Sequence, residues 1–347
     1  MDEDKKILPS LYDTKGNGQL YLENKKLTEV SFNFEQHHDG TLILRCTIPA
    51  EFAWSRDVES TFNATNEKIG FEGITDDNWS LKIRRVAISK TRIGKESFIE
   101  FLCFEAELEP CKIANQVIDL QPFLMQVPLA NCYFCGSSTG EYSFKNGYKV
   151  IGQQMPLFIG EQEVSLCYRH PIQDVVNILK KERTVGVISD IFIPINNWPN
   201  RNNIKEMLNI FCSILTFTYD TRINWFGFEI YNSNHEIIYR YLIQTNVSSF
   251  YGDIAGANWS PLPWIIENAS LPLFLHEAYD KYQQLWDNWD IYALINLFTE
   301  LRIHHRYLEI TGLHFSACAE IIFRAYKSQD SNTVRRSKRH YVLFVKA

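Results

Sequence analysis

No apolar run in this 347-residue chain approaches the length of about 20 residues that a membrane-spanning helix needs. The start, Met1-Asp2-Glu3-Asp4-Lys5-Lys6, is charged and leads into no apolar segment of the secretory kind. Both absences lead to the expectation of a cytoplasmic protein that does not enter a membrane. The chain also lacks G-x-x-x-x-G-K-S/T, a G-x-G-x-x-G at a strand-to-helix turn, and H-E-x-x-H, so phosphate-cradling loops and zinc-protease helices find no support. Positive charge is short as well. Lys and Arg number 35 against 41 Asp and Glu, a formal net charge of -6, which argues against a protein wrapped wholesale around nucleic acid.

What is present is ordinary globular material, 45% hydrophobic and 22% charged, with 14% aromatic side chains to fill a core. A chain of this length predicts two domains. Eight cysteines are scattered rather than clustered, which in a reducing compartment means buried thiols acting as small hydrophobes.

From about Gly18 to Phe104 the apolar residues alternate in short runs: Leu20 and Leu22, then Val30, Phe32 and Phe34, then Leu42 and Leu44 after the turn His38-Asp39-Gly40. A period of two predicts strands. More are expected at Lys68 to Ile74, at Trp79 to Ile88 after the turn Asp76-Asp77-Asn78, and at Ser97 to Ala106. The turns recur too closely for crossover helices, so the expectation is an antiparallel sandwich or twisted sheet.

Between residues 117 and 195 the pattern is mixed, with a strand expected at Val164 to Tyr168 and a short helix at Ile172 to Lys181. Asn200 to Phe217 predicts a helix capped by Asn202 or Asn203, with Ile204, Met207, Leu208, Phe211, Ile214 and Leu215 as its apolar stripe. A hairpin follows, Asn224 to Tyr231 and Glu236 to Gln244, turning through Asn232-Ser233-Asn234. Ser248 to Pro263 reads as a connecting loop. Beyond it the period becomes helical, at Leu273 to Asp287, at Asp290 to Leu301, and along a stripe from Ile303 to Ile321. The fold class expected is therefore α+β. A β-rich region spans 1–247, with 1–116 mostly strands and 117–247 mixed, and a helical domain spans 264–347.

Three patterns could carry chemistry. Cys132-Tyr133-Phe134-Cys135, with Cys167 and His170 as a second pair, has the ligand types of a structural zinc site; the competing reading makes these cysteines plain core positions. Gly136 to Gly140 matches G-x-S-x-G, yet the alternating residues after it favour a turn over a nucleophile elbow. In the basic tail Val334 to His340, four residues separate Arg335 from His340. A guanidinium and an imidazole so placed at a helix start can hold a phosphate and move a proton during RNA cleavage. The competing reading of the tail is a solvated terminus.

The order of elements resembles bacterial ApeA-like proteins, in which a β-rich N-terminal domain precedes a helical HEPN domain. The residues carrying the resemblance are Phe71-Glu72-Gly73-Ile74-Thr75-Asp76 with Trp79, then Leu273-Phe274-Leu275-His276-Glu277-Ala278-Tyr279, Leu308-Glu309-Ile310 and Ala319-Glu320-Ile321-Ile322. The resemblance implies abortive defence against bacteriophage, a phage-derived trigger, and a HEPN domain that dimerises through its helices. It also implies metal-independent RNA cleavage, with Arg335 on the scissile phosphate and His340 as acid or base. The family sets its motif near the start of a late helix, whereas here only seven residues follow His340 and Tyr341 to Val345 is strand-like. An incomplete HEPN-like domain is therefore also expected. Two alternatives stay open: a noncatalytic interaction or sensing protein with a helical dimer seam, and a zinc-stabilised binding module using Cys132, Cys135, Cys167 and His170.

Overall fold

The apolar alternation builds strands, and the strands close on themselves. A computed structural model describes residues 10–22, 25–48, 69–92, 97–111, 119–132, 138–143, 149–169, 186–219, 223–244, 271–286 and 319–320. Its first six strands are β1 (Tyr12–Leu22), β2 (Lys25–Gln36), β3 (Leu42–Thr47), β4 (Ile69–Thr75), β5 (Trp79–Arg92) and β6 (Phe98–Pro110). They lie in the order β3-β2-β1-β4-β5-β6, and β3 pairs back onto β6. The result is a six-stranded antiparallel barrel rather than the sandwich or open sheet expected. Alternation is the same in a sheet and a barrel; what distinguishes them is the pairing of Ile43 with Leu102 and Thr47 with Phe98, a long-range register that local patterning does not encode.

The barrel is filled. Phe34, Leu42, Leu44, Phe101 and Leu108 are fully buried inside it, and the Phe32 and Phe71 rings meet edge to face at 5.0 Å, a favoured aromatic geometry. These rings need room, and Gly18 and Gly73, directly paired across β1 and β4, supply it. A Cβ on Gly18 would stand 2.4 Å from the Phe71 ring, and one on Gly73 would stand 2.8 Å from the Phe32 ring. Bulges between Ile83 and Arg85, Arg85 and Val86, and Ile88 and Lys90 break the alternation of β5. Pattern reading consequently stops that strand at Ile88, although it continues to Arg92.

Beyond the barrel the sheet continues through β14 (Ile237–Ile243), β13 (Gly227–Tyr231), β7 (Leu124–Ala130), β11 (Val187–Pro194), β10 (Gln162–Tyr168), β9 (Lys149–Ile159) and β8 (Ser138–Ser143), with β12 (Asn224–Trp225) beside β7. One edge of β6 serves both parts: Phe98 to Leu102 face β3, and Glu105 to Leu108 face β14. Helix α1 (Arg201–Tyr219) lays Ile204, Leu208, Phe211 and Leu215 on this extension, in one core with Val127, Leu166 and Ile191. Its cap is Asn200, whose side chain accepts from the Asn202 amide at 2.9 Å, so the start lies slightly earlier than the Asn202 or Asn203 expected. Helix α2 (Leu271–Trp286) adds Leu271, Leu275 and Tyr279 to that core. The described chain is thus β-rich, with these two delimited helices. The expected helices at Ile172 to Lys181 and Asp290 to Leu301, and most of the expected domain 264–347, lie outside the described residues.

An ionic clamp ties α1 to the barrel wall. Arg201 pairs with Glu107, Lys205 pairs with Glu105 at 2.8 Å, and both cations approach the Tyr241 ring, at 5.4 and 5.0 Å. Cations in a first helical turn oppose the helix dipole; the two carboxylates offset that. Burial pushes the Glu105 carboxyl upward, but hydrogen bonds from Lys205 and Tyr241 outweigh it, and its pKa lies below the ordinary value. A depressed folded pKa means that this contribution is whole above the unfolded value of about 4.3 and is lost as pH falls through the folded one. Thermal melts across the acid range should therefore show a shallower loss of Tm in Glu105→Gln than in the parent. Identical slopes would remove Lys205–Glu105 as a stabilising pair.

Candidate functional site

Because alternate residues of a strand point to opposite faces, the same strands that fill the barrel also dress its outer wall, and over β1, β2 and β4 that wall carries a cleft of about 650 Å³. Two cross-strand rows form its lining. In the first, Glu29, Gln19 and Glu72 stand side by side on β2, β1 and β4. In the second, Thr47, Ser31, Asn17, Ile74 and Ser80 run from β3 to β5.

The Ser31 hydroxyl lies 3.1 Å from Asn17 Oδ1 and donates to it. Glu29 is held by Lys26 at 2.7 Å, which keeps its carboxyl below the ordinary range. Ile74 is 56% exposed, a large apolar side chain open to solvent beside the polar rows. The lining contains two carboxylates, two carboxamides and three hydroxyls, and no cationic side chain. Such a surface offers hydrogen-bond acceptors in excess. It suits a polar ligand rich in donors, and it offers no Lys or Arg to an anion.

On the sheet extension, the face away from α1 carries a second polar group. Arg169 grips Asp190 through two bonds of 2.8 Å. The Tyr231 hydroxyl lies 2.7 Å from a Glu229 carboxylate oxygen and 2.9 Å from the Gln126 amide oxygen. Arg240 bonds Glu229 at 2.7 Å and stacks over Tyr12 and Trp79 at 4.7 and 5.1 Å. Its charges balance, Arg169 and Arg240 against Asp190 and Glu229. This arrangement is that of a structural seam where β13 and β14 meet the barrel.

Of the sequence-derived zinc set, Cys132 is fully buried in the core beneath α1, and burial pushes its thiol far up. Cys167 packs with Leu124 on the opposite face, beside Asp190, and burial raises its thiol to about 11. The intervening residues follow the strand alternation, since Leu166 and Tyr168 share the core of Cys132 while Cys167 does not. Cys135 and His170 lie outside the described residues. Among the described residues no three His, Cys, Asp or Glu side chains converge as metal ligands. Ser138 of the G-x-S-x-G segment opens strand β8, where a nucleophile elbow needs a helix. His37 and His38 sit at the β2–β3 turn, His37 lying 3.3 Å from Glu35.

Arg335 and His340 lie outside the described residues. Sequence reading passed over Asn17, Gln19, Glu29 and Ser31, because polar residues in the outward phase of a strand look alike whether or not they frame a cleft. No helix among the described residues is long and apolar enough to cross a membrane. Compared with family models, curated proteins and solved structures, the chain matches none.

Proposed function

We propose that this protein is a sensing or interaction protein that engages a polar partner through the barrel cleft. The observation that carries this reading is the pair of cross-strand rows, which leaves an acceptor-rich hollow on an otherwise filled barrel. The setting is the one implied by the resemblance to ApeA-like proteins: defence against bacteriophage, a phage-derived trigger, and a HEPN-like helical domain over 264–347 through which two copies associate. In that arrangement the α+β class is completed by the C-terminal helices. A second reading makes the C-terminal region catalytic and RNA its substrate. It is favoured by the spacing of Arg335 and His340, which would hold a phosphate and transfer a proton without a metal.

One plaque assay separates the two. Bacteria producing the full chain are challenged with phage beside variants Ser31→Trp, which fills the cleft from an exposed position, Arg335→Ala and His340→Ala, with total RNA followed in each culture. The sensing reading expects protection that Ser31→Trp abolishes and the other two leave intact. Protection lost in Arg335→Ala and His340→Ala, together with RNA loss seen only in the parent, would replace it with the ribonuclease reading. Absence of protection in the parent would end the defence setting.

A further inference from the structure

The chemistry of the cleft narrows its occupant, and this inference rests on the reading that the cleft binds. Glu29 and Glu72 flank Gln19 from opposite sides in one cross-strand row, a spacing at which two carboxylates reach the same point between them. Lys26 holds Glu29 from one margin, and Lys82 stands opposite Glu72 on β5, but neither lines the cleft. Ile74 lies two residues beyond Glu72 on the same face of β4, exposed and within a long side chain's reach of the carboxylates. Acceptors at one end and an aliphatic surface at the other match the two parts of a lysine or arginine side chain, a charged head on an apolar stem. A nucleic acid would bring phosphates against two carboxylates, and an apolar ligand would find only Ile74 to cover it.

We propose that the cleft seats a lysine- or arginine-bearing segment of a partner protein, with its cationic head between Glu29 and Glu72 and its stem on Ile74. A guanidinium is the better fit, because its fixed fork of donors can serve both carboxylates at once.

The test is fluorescence anisotropy of the full chain with a fluorescein-labelled Gly-Gly-Arg-Gly-Gly peptide and the same peptide carrying citrulline, its uncharged isostere. A short labelled single-stranded RNA provides the anionic arm. The arginine peptide should bind roughly 10-fold tighter than the citrulline peptide, a preference that shrinks as salt is added. Glu72→Gln should erase that preference with the melting temperature unchanged. Equal affinities for the two peptides, both weakened by Ser31→Trp, would overturn the cationic assignment and leave the cleft reading standing. Peptide binding indifferent to Ser31→Trp, or no binding of either peptide, would overturn both. RNA bound more tightly than the arginine peptide would overturn the charge argument.

Discussion

Gly227→Ala should cost about 3–5 kcal/mol, combining a strained backbone conformation with overpacking. Gly227 opens β13 with φ of +139°, a conformation that residues bearing a Cβ rarely adopt. A Cβ there would also stand 2.2 Å from the Tyr241 carbonyl oxygen and 2.9 Å from Leu242 Cα. Both belong to the backbone of β14, so no rotamer change relieves the clash. The neighbouring Phe226 is fully buried, and its carbonyl accepts from the Gln36 amide at 2.7 Å and from the Ile243 N–H. Relaxing around a new methyl group would therefore disturb the join between β2 of the barrel and β14 of the extension. Urea unfolding is the measurement. Against a total stability of about 5–15 kcal/mol, a loss this large should pull the midpoint down steeply, and a loss under about 1 kcal/mol would mean that Gly227 does not hold this conformation.

Leu275→Ala should remove about 3 kcal/mol by emptying a site in the main core, while Leu273→Ala, two residues earlier, should stay within about 0.5 kcal/mol. The contrast is geometric. Leu275 is fully buried with Leu271 and Tyr279 against α1 and β9, whereas Leu273 is 62% exposed. α2 also grips the β9–β10 turn, where His276 Nδ1 lies 2.9 Å from the Gly160 carbonyl oxygen. It thereby anchors whatever follows it to the sheet. Equal losses at the two leucines, read by thermal melts of the full chain, would show that α2 is not seated as described.

Local order was legible in the sequence. Period-two alternation located β1 to β6, the stripe from Ile204 to Leu215 located α1, and Asn232 with its neighbours located the β13–β14 turn. Two things were not. Barrel closure depends on β3 meeting β6, a pairing between segments about 55 residues apart that alternation leaves unspecified. The single strand expected from Asn224 to Tyr231 divides into β12 and β13 because Gly227 turns the chain out of the extended region.

The candidate site was less legible than the fold. Cysteine spacing suggested one cluster, but strand alternation sends Cys132 and Cys167 to opposite faces. The cleft, conversely, is assembled from single residues on five strands, none of which carries a motif. Glu72, Gly73 and Ile74 fall within the segment that resembles ApeA-like proteins, but the sequence gives no sign that their outer face is hollow.

The divided edge of β6 has a consequence for synthesis. Phe98 to Leu102 find their partners in β3, already made when β6 emerges, whereas Glu105 to Leu108 wait for β14, about 130 residues later. At ordinary translation rates of roughly 5–20 residues per second that interval lasts on the order of ten seconds. During it a nascent barrel presents a half-strand of unpaired backbone, bordered by hydrophobic side chains that have yet to receive α1. A chaperone that shields exposed strand edges should therefore raise the soluble yield of this chain most when it acts before β14 leaves the ribosome.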